Sequence, residues 1–484
     1  MGHLKVHRCF FILAFIVWIV RISLLAEAAS LQHAQRKGSA SSKRLSISQA
    51  VETAIARNLR LADSRLAVEE KKHQRRQAYS NFFPSVDLQY TAGADKYQGY
   101  IRNDFLQRSE TNVEALSGIH PSRWTYRGSE ARGIGTFPTY PYRIDPYRSF
   151  SIIATLTQPL FAGGRLVNDY SMANLGEAYS SLQLEVDRQD LILDVYYAYY
   201  QLLQATRLLE IANDSIRALQ AFEYQATAFY REGVNPKADV LAAAGQLAQA
   251  YVQRSQARTD MGKAKATLNF LLHRPQETPI EIVENLTYIP SPYTIPDVYT
   301  TAAANRVEIR QANISVDQAM ALVKSAQADL LPSVSVQLKA ARLNDDWNVF
   351  DPEGNNDWSI RGVLTWSFDI FRKHETAKEK RTSQAKAFIE REQFVEQVMK
   401  DVKQAYDDMK RSENDIVENR KAVAFRKESF RVNQLSYQEQ VATYVEVLDA
   451  QRQLALAQGD YIISMVGYLI NRAVLERKMG ILRE

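Results

Sequence analysis

The sequence contains a single cysteine, Cys9, among 484 residues. It stands at the start of an apolar run of 12 residues that follows a basic MGHLKVHR and ends before Arg21. A spanning helix needs about 20 apolar residues, and AEA at 26–28 has the small-x-small form of a signal-peptidase site. We therefore expect a signal peptide over 1–28. Its removal would leave an exported, unlipidated chain without disulfides or thiolate metal sites.

Proline and glycine are almost absent from two long stretches. Residues 165–231 contain no proline and one glycine, and residues 372–438 contain neither. Both residue types break helices, and apolar side chains recur at helical spacing through each stretch. Each stretch predicts one helix of about 100 Å at 1.5 Å per residue. Such helices pack as in coiled coils and are much longer than those of ordinary globular domains.

Short breakers end the two long helices and start the next ones. In REGVNPKADVL, Gly233 is the expected stop, Asn235 the N-cap and Pro236 the first helical residue. In YQEQVATYVEVL, Thr443 and Glu446 have capping-box spacing. The remaining helices are expected at about 47–82, 237–272, 298–330 and 444–480.

Charge and motif content exclude several classes of function. The mean hydropathy of −0.33 excludes a multi-helix membrane protein, and the net charge of +5 is spread among acidic residues, unlike a nucleic-acid-binding protein. The seven histidines form no close ligand pair, and neither a phosphate-binding loop nor a Ser/His/Asp group is present. We therefore expect no catalytic residue, no cofactor and no metal.

The chain repeats itself. AYSNFFPSVDLQY at 78–90 matches AQADLLPSVSVQL at 326–338, which places Pro84 on Pro332 with an offset of 248. LTQPLFAGGR at 156–165 then matches LTWSFDIFRK at 364–373 with an offset of 208. We expect a flexible segment at 29–44, then two helix–strand–strand–helix–helix repeats at 45–290 and 291–484.

Four segments alternate between apolar and polar residues. They lie near residues 85–93, 149–158, 333–341 and 358–368. Alternation over 9–11 residues fits a tilted barrel strand, although half-buried strands of soluble sheets alternate too. Pro84, Pro332 and Pro159 are the expected helix-to-strand transitions, since proline biases its predecessor to extended geometry. The polar segments 93–148 and 341–357 are expected as outer loops.

Membrane physics favours the barrel. Four strands cannot close a barrel, since the smallest membrane barrels have eight. An open sheet edge cannot face lipid, because each unpaired backbone group there costs several kcal/mol. Three copies of the chain would supply twelve strands. A sugar- or nucleic-acid-binding role for the Tyr/Arg-rich first loop is a weaker alternative to a solvated loop.

The order of these motifs resembles the TolC family of outer-membrane channel proteins. The resemblance rests on LSISQAVETAIARN, the two Pro-Ser-Val strand starts, TQPLFAGGR and YVEVLDAQRQLALAQGDY, and it covers about 45–480. It implies a homotrimer with a twelve-stranded barrel in outer-membrane lipid and a helical tunnel through the periplasm. It also implies a periplasmic adaptor and an inner-membrane RND-type or ABC-type transporter, which together export drugs, small molecules or proteins.

The resemblance also implies a gate at the helix tips. Glu446 and Asp449 fall where the family places inward carboxylates at the periplasmic entrance, and three copies would gather six carboxylates there. Asp239 matches Glu446 in the first repeat, and Tyr437 matches a tyrosine of the links that hold the tip closed. Ala442 departs from members that have an arginine there. Glu446 fits a helix-capping role equally well.

Two other classes of function compete with the export channel. A periplasmic coiled-coil adaptor or scaffold would use the four strands as a small soluble domain. An exported hydrolase on a helical stalk would need an active site, and the sequence offers no candidate. The sequence does not identify the cargo.

Overall fold

A computed structural model of the protein describes residues 44–95, 98–102, 139–143, 147–234, 236–283, 286–344, 355–439 and 441–482. The predicted signal peptide and most of the predicted loop 93–148 lie outside these residues. The helices are α1 (Ile47–Arg57), α2 (Leu59–Ser80), α3 (Arg165–Arg231), α4 (Lys237–Leu271), α5 (Ile295–Asn305), α6 (Val307–Ala328), α7 (Ile370–Gln438) and α8 (Tyr444–Lys478). The strands are β1 (Ser85–Asp95), β2 (Gln98–Arg102), β3 (Thr139–Arg143), β4 (Tyr147–Ala162), β5 (Ser333–Asn344) and β6 (Asn355–Thr365).

The two long helices dominate the fold. Helix α3 has 67 residues and α7 has 69, as the absence of proline and glycine predicts. Helix α3 packs along α4, and α7 packs along α8, so each repeat contributes one long hairpin. Helix α3 also contacts α2, α6 and α8, and through α6 and α8 it joins the first repeat to the second. Among the described helices, none has both the length and the apolar content needed to cross a membrane.

The helices that precede the strands are each broken once, where the sequence predicts continuous helices. Asn58 separates α1 from α2, and Arg306 separates α5 from α6, both with extended ψ. The Asn58 side-chain amide donates to the Leu271 carbonyl at 3.2 Å, and the Arg306 guanidinium donates to the Lys478 carbonyl at 3.1 Å. Each bond satisfies a carbonyl at the end of a helix that has no partner within that helix. Asn58 is also the N-cap of α2, since the Arg60 amide donates to its side chain at 2.9 Å, so this break has a local signal that the sequence argument overlooked.

The cores of the two repeats are built from equivalent positions. An offset of 207 residues relates buried side chains of α3 and α4 to buried side chains of α7 and α8. The pairs are Val195 with Val402, Leu202 with Met409, Leu268 with Leu475 and Leu272 with Met479, and each of these residues is at most 1% exposed. Full burial of such a side chain contributes about 1.5–3 kcal/mol. The duplication seen in the sequence is therefore a duplication of the packed core.

The junctions between helices and strands also repeat. The Gln158 amide donates to the Phe82 carbonyl at 3.0 Å, and the Trp366 indole donates to the Leu330 carbonyl at 3.2 Å. Gln158 and Trp366 differ by 208, and Phe82 and Leu330 differ by 248, which are the two offsets of the sequence repeat. Each bond satisfies a carbonyl just beyond the helix that precedes a strand.

A buried ionic cluster holds the end of α8 against both repeats. Arg477 is 5% exposed, and its guanidinium lies 2.8 Å from Asp190 of α3 and 2.8 Å from Glu308 of α6. Arg306 approaches the other oxygen of Glu308 at 3.2 Å. Burial raises the pKa of the Glu308 carboxyl, but Arg477 and Arg306 outweigh burial and hold that pKa below its ordinary value.

The Glu308 carboxylate is expected to make stability depend on pH. Because its folded pKa is lowered, its contribution is present above the ordinary pKa of glutamate and is lost as pH falls through the folded pKa. Glu308→Gln should lower the free energy of unfolding by about 1.5–3 kcal/mol near neutral pH, the range for hydrogen bonds to charged groups. Denaturant titrations of both proteins in detergent should show this difference shrinking in acid. A difference that stays constant down to the acid limit would contradict the assignment.

The main sheet has four antiparallel strands in the order β1-β4-β5-β6. Strands β2 and β3 pair antiparallel in a separate two-stranded sheet. Strands β1 and β5 begin directly after Pro84 and Pro332, at Ser85 and Ser333. All four strands differ at their ends from the ranges expected from the sequence: β1 and β5 extend to Asp95 and Asn344, β4 runs from Tyr147 to Ala162, and β6 lies at 355–365 instead of 358–368.

Pro159 is not a helix-to-strand transition. It lies inside β4, and the register with β5 shifts between Pro159 and Phe161. Proline has no N–H to donate to the ladder and is tolerated in a strand at such an irregularity. The strand ends at Ala162, and Gly163 and Gly164 with φ of +63° and +90° form the turn into α3.

Candidate functional site

The first helix tip is a glycine turn. Helix α3 ends at Arg231, and Gly233 adopts a φ of +74°, which suits glycine. The Val234 amide donates to the Phe229 carbonyl at 2.9 Å and closes the turn. Pro236 is the N-cap of α4, one residue later than the expected cap, and the helix begins at Lys237. Asn235, the expected cap, lies outside the described residues.

The second helix tip has the capping box that its spacing predicts. The Thr443 amide donates to the Glu446 carboxylate at 2.9 Å, and the Glu446 amide donates to the Thr443 hydroxyl at 3.4 Å. Glu446 is exposed and lies in the first turn of α8. Its carboxylate therefore caps the helix and also adds negative charge at the tip.

The other two candidate carboxylates have different surroundings. Asp449 is exposed, and its carboxylate lies 2.6 Å from the guanidinium of Arg452, one turn further along α8. Asp239 lies in the first turn of α4, where a carboxylate is favoured by the helix dipole. The sequence argument for the gate overlooked Arg452, although its i,i+3 spacing from Asp449 is a visible signal. Arg452 offsets part of the negative charge of this tip.

Tyr437 is packed inside the tip. It is 7% exposed, and its ring centroid lies 5.3 Å from Tyr444 and 6.2 Å from Phe229. These rings belong to an apolar cluster of α3, α4, α7 and α8 that includes Phe222, Leu247 and Val447. The cluster joins the tips of the two hairpins within one chain.

Tyr444 is a residue of the tip that sequence reasoning missed. It is 1% exposed, and within the described part of the chain its hydroxyl has no hydrogen-bond partner. Burial raises the pKa of this hydroxyl, and Tyr437, Asp239 and Glu223 raise it further. The hydroxyl is therefore neutral at physiological pH.

The four-stranded sheet has two chemically distinct faces. Cross-strand register places Leu88, Ala154, Ala340 and Trp358 in one row and Val86, Leu156, Leu338 and Ile360 in the next row of the same face. The opposite face contains the rows Ser85, Thr157, Gln337, Arg361 and Asp87, Thr155, Lys339, Ser359. The alternation predicted from sequence thus aligns across all four strands.

The polar face is the more enclosed one on β5 and β6. Gln337, Lys339 and Ser359 are partly buried, whereas the neighbouring Leu338 and Ile360 are 44% and 61% exposed. Trp358 is 74% exposed on the apolar face. A sheet with large apolar side chains exposed on one face and polar side chains on the other is the arrangement of a transmembrane β-barrel wall.

Long paired helical hairpins that continue into a two-faced, barrel-like sheet define the architecture of an outer-membrane channel. A model of the family described as "Outer membrane efflux protein" matches residues 50–273 and 298–480, and the chain belongs to this family. The resemblance inferred from the sequence motifs is confirmed, and so are the outer-membrane location and the efflux-channel class.

Solved structures of the same architecture resemble the chain. The outer membrane protein VceC of Vibrio cholerae is 14% identical, with coverage of 90% of this chain and 96% of VceC and a TM-score of 0.70. The CmeC outer membrane channel of Campylobacter jejuni is 15% identical, with 90% and 86% coverage and a TM-score of 0.70. The open state of the MtrE outer membrane channel of Neisseria gonorrhoeae is 18% identical, with 93% and 95% coverage and a TM-score of 0.66.

The TM-scores and coverages establish the shared fold, mainly helical with a small sheet. A comparison with curated proteins found no match. The similar structures are channel proteins rather than enzymes.

Proposed function

We propose that three copies of this chain form a passive export duct across the outer membrane and the periplasm. The observation that carries the proposal is the open sheet of a single chain, whose apolar outer face ends in the edge strands β1 and β6. Within the described residues, neither strand has a partner on its outer side. Lipid cannot satisfy the backbone groups of those edges, so closure requires further strands from other copies.

The duct needs partners to supply energy and cargo. We propose a periplasmic adaptor and an inner-membrane RND-type or ABC-type transporter, in a tripartite efflux system or a type I secretion system. The chain itself acts as a conduit and not as an enzyme. The exposed apolar side chains on both edge strands favour this function over a soluble scaffold: Leu88 is 70% exposed and Leu364 is 64% exposed.

The assembly is tested by extraction and by mass. The protein should remain in outer membranes after osmotic shock, dissolve only in detergent, and have the mass of a trimer by light scattering. A trimer should also give discrete conductance steps in a planar bilayer. Release by osmotic shock, or a stable monomer in detergent, would overturn the proposal.

We propose that Glu446 and Asp449 form part of a cation-selective entrance. The double variant Glu446→Gln and Asp449→Asn removes two negative charges per copy, and glutamine retains the capping bond to Thr443. We expect the cation-to-anion permeability ratio to fall several-fold, because rings of carboxylates select cations. Reversal potentials in a salt gradient across a planar bilayer measure this ratio.

Arg452 supplies the matched control for the entrance charge. Arg452→Gln frees the Asp449 carboxylate from its ion pair and adds net negative charge at the same place. It should therefore raise the cation-to-anion permeability ratio. If the two variants left the ratio equal to that of the original protein, selectivity would be set elsewhere in the duct.

A further inference from the structure

The two β-hairpins of the chain pair in the same register. Ser85 lies opposite Thr157 in the first, and Ser333 lies opposite Thr365 in the second. These partners are related by the offsets of 248 and 208 that relate the two repeats. The repeat is therefore exact at the level of individual strand pairs.

The β4–β5 pair is the junction between the two repeats. Thr155 lies opposite Lys339, and Thr157 lies opposite Gln337. It pairs the second strand of the first repeat, β4, with the first strand of the second repeat, β5. If the structure continues to repeat, the second strand of the second repeat must pair with the first strand of a following repeat. The strand that corresponds to β4 is β6, so the equivalent junction joins β6 to the β1 of another chain.

Strand β6 is shorter than its equivalent β4, as expected for a strand whose second partner, the β1 of another chain, is not part of a single chain. Strand β6 begins at Asn355, the position equivalent to Tyr147 at the start of β4. It ends at Thr365, whereas Ala162 at the end of β4 corresponds to Ile370. The end of β4 beyond Thr157 pairs with β5 and not with β1. Strand β6 is therefore shorter than β4 by the residues that, in β4, pair only with the strand of the following repeat.

We propose that β6 of one copy pairs with β1 of the next in the register of the β4–β5 pair, an assignment that rests on the proposed trimer. Thr155 lies opposite Lys339 in the β4–β5 pair. The offset of 208 takes Thr155 to Val363, and the offset of 248 takes Lys339 back to Thr91, so Val363 should lie opposite Thr91 of the next copy. Transferring Leu156 opposite Leu338 places Leu364 opposite Tyr90 in the same way.

The proposed register keeps the two faces of the wall continuous. Leu364 and Tyr90 belong to the apolar face and are 64% and 52% exposed in the single chain. Val363 and Thr91 both lie on the opposite face, the one that contains the polar rows. A slip by one residue would turn one strand's apolar side chains into the lumen, since side chains alternate with a period of two. The register is therefore supported by the repeat and by the polarity of both edges.

Cysteine crosslinking tests the register, because Cys9 is the only native cysteine. Cα atoms of directly opposed residues lie about 4.5–5.5 Å apart, within disulfide range. We expect the Thr91→Cys and Val363→Cys double variant, oxidised in outer membranes, to run mostly as covalent trimers on non-reducing gels. Each single variant should run as monomer after denaturation.

A shifted pair serves as the matched control. Thr91→Cys combined with Arg361→Cys moves one partner by two residues along β6, about 6.6 Å at 3.3 Å per residue, and should give little crosslinking. Preferential crosslinking of this shifted pair would overturn the register, and so would trimers by light scattering that crosslink at neither pair. A monomer by light scattering would instead overturn the proposed trimer itself.

Discussion

Gly163→Ala is expected to lower the free energy of unfolding by about 2–5 kcal/mol. Gly163 has a φ of +63°, and a Cβ built there would lie 2.4 Å from the Ala328 carbonyl oxygen and 3.0 Å from the Leu331 Cβ. The left-handed backbone costs a non-glycine residue about 1–2 kcal/mol, and overpacking against fixed neighbours adds about 1–3 kcal/mol. The neighbour is the end of α6, so the strain would fall on the contact between the two repeats.

Gly164→Ala separates the two causes. Gly164 also has a positive φ, of +90°, but a Cβ there would meet no atom within 4 Å. It should lose only the backbone contribution of about 1–2 kcal/mol. Thermal unfolding followed by circular dichroism, with trimer loss on unheated gels, compares the variants. Equal losses at both positions would show that the Ala328 carbonyl contributes nothing.

Leu88→Lys is expected to prevent assembly in the outer membrane. Leu88 is 70% exposed on the apolar face, in a row with Ala154, Ala340 and Trp358. A lysine on the lipid face of a barrel costs about 2–4 kcal/mol near the bilayer centre, and a trimer would incur this cost three times. Immunoblots of outer-membrane fractions should show a strong loss of heat-modifiable trimer.

The control is the next residue of the same strand. Gln89→Lys adds the same charge on the polar face, opposite Ile153, where the side chain can remain hydrated. This variant should yield trimer close to the original amount. Similar losses for both variants would contradict the assignment of the apolar face to lipid.

The parts of the fold that the sequence predicts depend on local chemistry. The long helix at 165–231 follows from missing breakers, and the strand starts at Ser85 and Ser333 follow from Pro-Ser-Val and alternation. The break at Asn58 had a local signal that was overlooked, because asparagine is a favoured N-cap and its side chain accepts from the Arg60 amide. Arg306 instead donates to the Lys478 carbonyl, 172 residues away, a contact that no local pattern reveals. The end of β4 past Pro159 likewise depends on β5, which no local pattern reveals.

The helix tips show the same division. The Thr443–Glu446 capping box could be predicted because its two partners are three residues apart. The burial of Tyr444 could not, because the apolar cluster that contains it also includes Phe222 and Leu247 from the hairpin of the other repeat. Negative charge at the tip was predicted from Glu446 and Asp449. The ion pair between Arg452 and Asp449 offsets part of that charge.

The paired bonds from Gln158 and Trp366 bear on how such chains diverge. The Gln158 amide and the Trp366 indole differ in shape, yet each donates one N–H to the equivalent carbonyl of its own repeat. What this junction requires is therefore one N–H donor in reach of the carbonyl and not a particular side-chain shape. Two halves with different residues at this position thus reach the same backbone geometry where a helix passes into a strand.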